Sequence, residues 1–214
     1  MLRRSILAVI ITLPFFAQDG PSVSTPPSVT VPVPPTAPVH TLLDHDLLDP
    51  AYFGIDGALM KETKVADFMW VKPGFSFKGH TLKVEWGQPH MLASKDDKFD
   101  LEAADHLTKV LPLEFSKFMA ASLWPAAKVS STEGDLILTG RIVMINVRSR
   151  FSFSKNILTF DIKIMNAVSG EVVLACHHRV IPYGTEGSGL RSLEARVSTY
   201  AFEFSEYCLA NYAK

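Results

Sequence analysis

Cysteine is scarce in this chain: two among 214 residues, at positions 176 and 208. Neither lies near the amino terminus, so the acyl-thioether anchor of a bacterial lipoprotein cannot form there. An excess of charge of either sign is also missing. Lys and Arg number 21 against 22 Asp and Glu, a formal net charge of −1. Nucleic acid is therefore not the expected partner, because phosphate binding draws on clustered Lys and Arg. Beyond the first twenty residues, no run is long and apolar enough to span a bilayer, which takes about 20 residues. Internal repeats are absent as well.

The amino terminus reads MLRRSILAVIITLPFFAQDG. Arg3 and Arg4 form a positive start, and Ser5 to Phe16 is an apolar run of signal-peptide length. Small Ala17 suits the position before a scissile bond, while Phe15 does not suit the position two before it. The expectation is a cleavable export signal over residues 1–17, with an uncleaved membrane anchor as the alternative. Arg3-Arg4-Ser5 also bears a faint likeness to a twin-arginine signal, although two arginines are ordinary in such a region. Export places the rest of the chain in an oxidising compartment, periplasmic or envelope-associated.

Residues 18–40 follow, with GPSVSTPPSVTVPVPPTAPV at positions 20–39 free of charge. Proline fixes φ and lacks an amide donor, so this stretch favours extended polyproline II over helix or sheet. At about 3.1 Å per residue it would reach on the order of 60 Å, as a spacer would. A leftover without a spacer's role is the alternative. Positions 41–64 form an irregular lead-in, with turns and one helical turn expected.

From position 65 the pattern is globular. Val65 to Val71 is apolar and aromatic, ended by Lys72-Pro73-Gly74. Thr81 to Trp86 alternates with period two, as a half-buried strand does. Asp96 to Asp100 supplies acids suited to a helix start. Leu101, Ala104, Leu107 and Leu111, then Phe115, Phe118, Met119 and Leu123, recur at helical spacing. Pro112 within this run predicts a kink or break. Three strands are expected over 135–147, 157–165 and 171–181, the last two an antiparallel hairpin around Gly170. Leu190, Leu193, Val197, Tyr200, Phe204 and Cys208 complete an amphipathic helix. The order β-α-β-β-β-α predicts an α+β domain over 65–214: a mixed or mainly antiparallel sheet of four to five strands covered by two long helices.

The stretches Val71-Lys72-Pro73-Gly74-Phe75-Ser76-Phe77, Gly134 to Gly140, Asn166 to Val173 and the ending Tyr212-Ala213-Lys214 carry a resemblance. Together with the element order, they resemble a group of uncharacterised bacterial envelope proteins, many of them lipoproteins. That group's fold is similar to the amino-terminal domain of TolB and to the periplasmic domain of the curli secretion channel. The resemblance covers positions 65–214 and rests on turn chemistry and core pattern. It implies an exported, non-catalytic envelope domain and brings no catalytic residues with it. The missing lipid-bearing cysteine departs from the group's common pattern.

The segment with most candidate chemistry is Leu174-Ala175-Cys176-His177-His178-Arg179-Val180. On a strand, Cys176 and His178 share one face, toward the core with Val172 and Leu174, while His177 points to the other. A zinc site needs three or four converging ligands, and the remaining histidines, 40, 45, 80, 90 and 106, lack ligand spacing. A thiol nucleophile needs an adjacent base and partial exposure. A Cys176–Cys208 disulfide is the third option, worth roughly 3–4 kcal/mol in the chain-entropy picture. Two separately buried cysteines are its alternative.

Gly184 to Gly189 precedes a helix but lacks the Lys and Ser/Thr of a nucleotide loop, so it reads as a turn. Asp96, Asp97, Asp100, Glu102 and Asp105 read as helix-entrance charge rather than a hydrolytic carboxylate pair. Arg148, Arg150, Phe151 and Phe153 form a basic and aromatic rim, a candidate contact for anionic lipid or glycan. The sequence therefore predicts neither metal nor cofactor. It predicts a binding or assembly-accessory domain whose partner is another envelope protein or a further copy of itself. An exported hydrolase and an accessory subunit of a secretion assembly are the competing expectations.

Overall fold

The computed structural model describes residues 47–89, 101–147, 156–182 and 189–214. The expected signal peptide, the proline-rich run, residues 41–46, the acids at 96, 97 and 100, the 148–153 rim and most of the 184–189 loop lie outside these residues.

A short helix α1 (Pro50–Phe53) and a 3₁₀ turn (Gly57–Leu59) precede strands β1 (Phe68–Val71) and β2 (Thr81–Val84). Helix α2 (Leu101–Leu123) leads to β3 (Lys128–Ser130), β4 (Leu136–Asn146), β5 (Ile157–Asn166), β6 (Val172–Val180) and helix α3 (Leu190–Tyr212). The strands form one mixed sheet in the order β1-β6-β5-β4-β2-β3. Pairing is antiparallel from β1 through β4 and parallel across β4, β2 and β3. The β2-α2-β3 crossover supplies the long connection that a parallel pair requires. The loop from β3 to β4 then crosses the backbone of β2. A side chain at Gly134 would meet Lys83 N at 2.6 Å and Thr81 O at 2.7 Å, so only glycine passes there.

The α+β class is as expected, with six strands rather than four or five. Both additional strands are short sheet edges, β1 with four residues and β3 with three. So few positions cannot establish a period-two signal. Of the kink or break predicted at Pro112, the break does not occur, since α2 runs through it from Leu101 to Leu123. Leu107, Leu111, Phe115, Met119 and Leu123 of its apolar stripe are at 0 % exposure. Packing of that stripe outweighs the one hydrogen bond that proline removes.

Helices α2 and α3 lie side by side and run parallel. Ser198 Oγ donates to Glu114 at 2.7 Å and Ser122 Oγ to Glu206 at 2.6 Å, each pair 84 residues apart. Leu193, Val197, Tyr200, Phe204 and Cys208 join the α2 stripe over β4, β5 and β6 to make the main core. A second, smaller core lies elsewhere, built from Leu48, Phe53 and Met60 packed with Ala175 and flanked by Tyr52, Phe68 and Trp70. Strand alternation puts Ala175 on the opposite side from Leu174 and Cys176. The lead-in therefore lies across the sheet face that the helices leave uncovered.

Candidate binding surface

Strand β6 divides its polar side chains between these two layers. On the helix side, Cys176 Sγ is 3.2 Å from Tyr200 Oη. His178 stacks on the Tyr200 ring, with centroids 4.2 Å apart and planes at 15°. His178 Nδ1 lies 3.2 Å from Asp67 Oδ2, and Asp67 also accepts from the Arg179 amide at 2.6 Å. Burial pushes the Asp67 carboxyl up, but the neighbouring His178 imidazole and the bond from the Arg179 amide outweigh it, and the net shift is downward.

The line Asp67, His178, Tyr200, Cys176 looks like a relay to a nucleophile. The electrostatics oppose that role. Burial pushes the Cys176 thiol up to about 12, with the Tyr200 bond opposing. Burial and then Cys176 hold Cys208 well above its ordinary value. A reactive thiol needs the reverse conditions, positive surroundings and access. Cys176 and Cys208 are both free and buried, so the considered bridge is not formed in this structure and the two thiols pack as small apolar groups. No three His, Cys, Asp or Glu side chains converge with metal-ligand geometry among the described residues.

The other face holds a charge cluster built by register. Arg141 of β4 stands opposite Asp161 of β5, and Asp161 stands opposite His177 of β6. Arg141 Nε donates to Asp161 Oδ2 at 2.8 Å, and His177 Nδ1 is 2.7 Å from Asp161 Oδ1. Asp161 is 0 % exposed, His177 1 % and Arg141 7 %. The lead-in completes the cluster, with Asp49 Oδ2 accepting from Arg141 Nη2 at 2.9 Å. The Tyr52 ring has the Arg141 guanidinium 3.8 Å from its centroid and the Lys163 ammonium at 4.3 Å. Lys163 Nζ also donates to the Tyr52 carbonyl at 3.0 Å. Two carboxylates thus face two cations, which is how buried charge is tolerated. Burial, with Asp161 adding and Arg141 opposing, pushes the Tyr52 hydroxyl up to about 12. His177 Nε2 is buried with no hydrogen-bond partner.

Sequence reasoning placed His177 away from the helices correctly but did not find Arg141, Asp161, Asp49 or Tyr52. The available signal was a lone Arg in LILTGRIVMIN and a lone Asp in LTFDIKIM, charges set in strands otherwise fit for burial. Of the helix-entrance acids, Asp105 pairs with Lys109 at 2.7 Å on the exposed surface, as expected of solvated charge.

The motif stretches themselves converge at one end of the sheet. A groove of about 400 Å³ is lined by Lys72 to Ser76, Lys78, His80, Leu136, Asn166, Glu171 and Val173. Lys72 and Glu171 pair across it at 2.7 Å. Asp135 accepts from His80 and from the Thr81 amide, which outweigh burial and bring its carboxyl below the usual value. Ser76 Oγ donates to the Lys214 carbonyl at 3.0 Å and the Phe77 amide to that of Tyr212 at 2.7 Å. Among the described residues that line the groove, no nucleophile is paired with a base, and Ser76 Oγ is engaged by the Lys214 carbonyl.

No family model and no curated protein matches the sequence. Several solved structures of bacterial proteins align with it. A PelC dodecamer from Paraburkholderia phytofirmans is 10 % identical, covering 67 % of this chain and 95 % of that one, with a TM-score of 0.44. A Xanthomonas campestris protein of the DUF330 family is 10 % identical over 65 % of this chain and 90 % of its own, also at 0.44. A protein from Caulobacter crescentus is 10 % identical over 61 % of this chain and 87 % of its own, at 0.31. Among the described residues, no helix is long and apolar enough to cross a membrane.

Proposed function

We propose that this chain is an exported, non-catalytic domain of the bacterial cell envelope, akin to the TolB-like group, that works by binding another envelope protein from a proline-rich tether. One observation carries the proposal. The side chains with most chemical potential, Asp161, His177, Arg141, Cys176 and Tyr200, are buried and tied to one another. A catalytic group must reach its substrate within hydrogen-bonding distance, and these do not while residues 47–60 and the helices cover the sheet. Large apolar side chains stand in solvent instead, including Leu113 on α2, Phe202 on α3 and Trp124. Phe202 and Phe118 meet edge-to-face at 5.7 Å across the two helices. Exposed apolar groups of this kind are characteristic of contact surfaces.

Two measurements test the proposal. The mass of the chain purified from an envelope fraction should match an amino terminus at or near Gln18. Photo-crosslinkers placed at Leu113 and Phe202 in cells should join the chain to an envelope protein. An unprocessed chain confined to the cytoplasm, or a hydrolytic activity abolished by His177→Ala with the fold intact, would overturn it.

A further inference from the structure

The segment Leu47 to Met60 is fastened differently from the rest of the domain. Its internal backbone bonds are local, such as Tyr52 N to Asp49 O and Met60 N to Gly57 O. Its backbone ties to the body are few among the described residues: the Tyr52 carbonyl accepts from Lys163, and Lys61, the next residue along the chain, pairs with Met69. The remaining attachment is by side chains. Leu48, Phe53 and Met60 pack with Ala175, Asp49 sits on Arg141, and the Tyr52 ring lies against two cations. A segment held without a strand ladder can leave without breaking the sheet's backbone bonds, at the cost of exposing Leu48, Phe53 and Met60 and parting Asp49 from Arg141. The surface beneath it belongs to rigid central strands, and it retains one buried imidazole nitrogen, His177 Nε2, without a partner.

We propose that residues 47–60 are a displaceable strap, and that the sheet face beneath is a docking surface for a partner polypeptide segment carrying an acidic residue followed within a few positions by aromatics. The strap shows the chemistry that the surface selects. A carboxylate meets the Arg141 guanidinium, an aromatic ring lies against Arg141 and Lys163, and Leu and Phe side chains fill the apolar surround. A partner segment with that pattern satisfies the same cations, whereas a neutral or basic one leaves Arg141 with a single counter-charge. The proposal rests on the binding-module function above and adds to it a second surface, on the sheet face opposite the helices that carry Leu113 and Phe202.

The test uses the full mature chain and a fluorescent synthetic peptide of residues 47–60. In the chain variant Asp49→Ala/Phe53→Ala, whose own strap is weakened, the peptide should bind at least about tenfold tighter than to the unaltered chain. The same peptide carrying Asp49→Ala should bind at least about tenfold more weakly, with the chain unchanged. In the unaltered chain, amides of residues 51–60 should exchange with deuterium about a hundredfold faster than those of β5 and β6. Failure of the variant to bind the peptide while folded, its global unfolding, or strap amides protected as well as the sheet would each overturn the proposal. So would exchange of straps between two copies in a stable dimer. The peptide assay needs no cellular partner, so its failure beside successful export and crosslinking would remove the strap and leave the binding function standing.

Discussion

Replacing Asp161 by Ala is the most informative perturbation of this fold. Asp161 is wholly buried and accepts two charge-assisted bonds, from Arg141 Nε at 2.8 Å and His177 Nδ1 at 2.7 Å. Its removal leaves a guanidinium at 7 % exposure with only Asp49, and His177 with neither ring nitrogen partnered. Breaking a buried pair from one side costs about 3–5 kcal/mol, because the abandoned charge stays desolvated. Domains of this size have about 5–15 kcal/mol in all, and each kilocalorie shifts the midpoint by roughly 2–4 °C. The variant should therefore melt roughly 6–20 °C lower, and its urea midpoint should fall at constant slope. The companion change Arg141→Met/Asp161→Leu should recover the share of the loss due to the abandoned guanidinium, since an apolar pair of similar volume bears no desolvation penalty, while His177 and Asp49 stay without these partners. A loss below about 1 kcal/mol for Asp161→Ala would refute the buried cluster as a structural requirement.

Further outcomes are expected. Gly140→Ala would bring a methyl to 2.5 Å from the Trp86 ring and 2.6 Å from the Asp161 carbonyl. It should cost about 1–3 kcal/mol as overpacking, partly relieved by Trp86→Leu, as denaturant titration of the pair would show. Cys176, with its thiol pushed up to about 12, should resist a disulfide-exchange reagent at pH 8 until the domain is unfolded; rapid native labelling would contradict its burial. Its raised value also fixes a sign: the contribution is complete below the unfolded value of 9.0 and is lost as pH rises through about 12. Asp67 and Asp135 are held below the ordinary 3.8, so their contribution is present above that value and is lost as pH falls. Asp67→Asn/Asp135→Asn should flatten the acid limb of a stability-against-pH curve, and an unchanged limb would refute the assignment.

Legibility in the sequence followed the length of the signal. The stripe from Leu107 to Leu123 and that from Leu193 to Cys208 each repeat over four or more turns, and both helices stand where the spacing puts them. Strands β4, β5 and β6, with nine to eleven residues each, were equally plain. Edge strands β1 and β3 were not, because three or four residues half in solvent display no period. The break considered at Pro112 is absent for a different reason: its local penalty is real, but tertiary contacts along α2 keep the helix continuous. The charge cluster was hidden by a non-local fact. Arg141 and Asp161 alternate correctly for a solvated face, and nothing near them in sequence announces that Leu48, Phe53 and Met60, more than eighty residues earlier, cover it.

That covering also answers what the run Cys176-His177-His178 is for. In solution the three neighbours would form a plausible cluster of ligands or nucleophile and base. A strand separates them by alternation, and here each side has its own lid. Cys176 and His178 meet Tyr200 of α3, while His177 meets Asp161 and the ring of Phe68. The same carboxylate that fixes His177 also fixes Arg141, and Arg141 in turn holds Asp49. Three polar residues in a row are therefore spent on two different interfaces, one joining helix to sheet and one joining lead-in to sheet. His177→Phe separates these roles from chemistry: it keeps the ring volume, loses the bond to Asp161, and should loosen residues 47–60 while leaving α3 packed. Deuterium exchange would show this as faster exchange at Tyr52 and Leu59 with no change at Tyr200 and Phe204. Equal loosening of both layers would mean that the sheet faces are not independent.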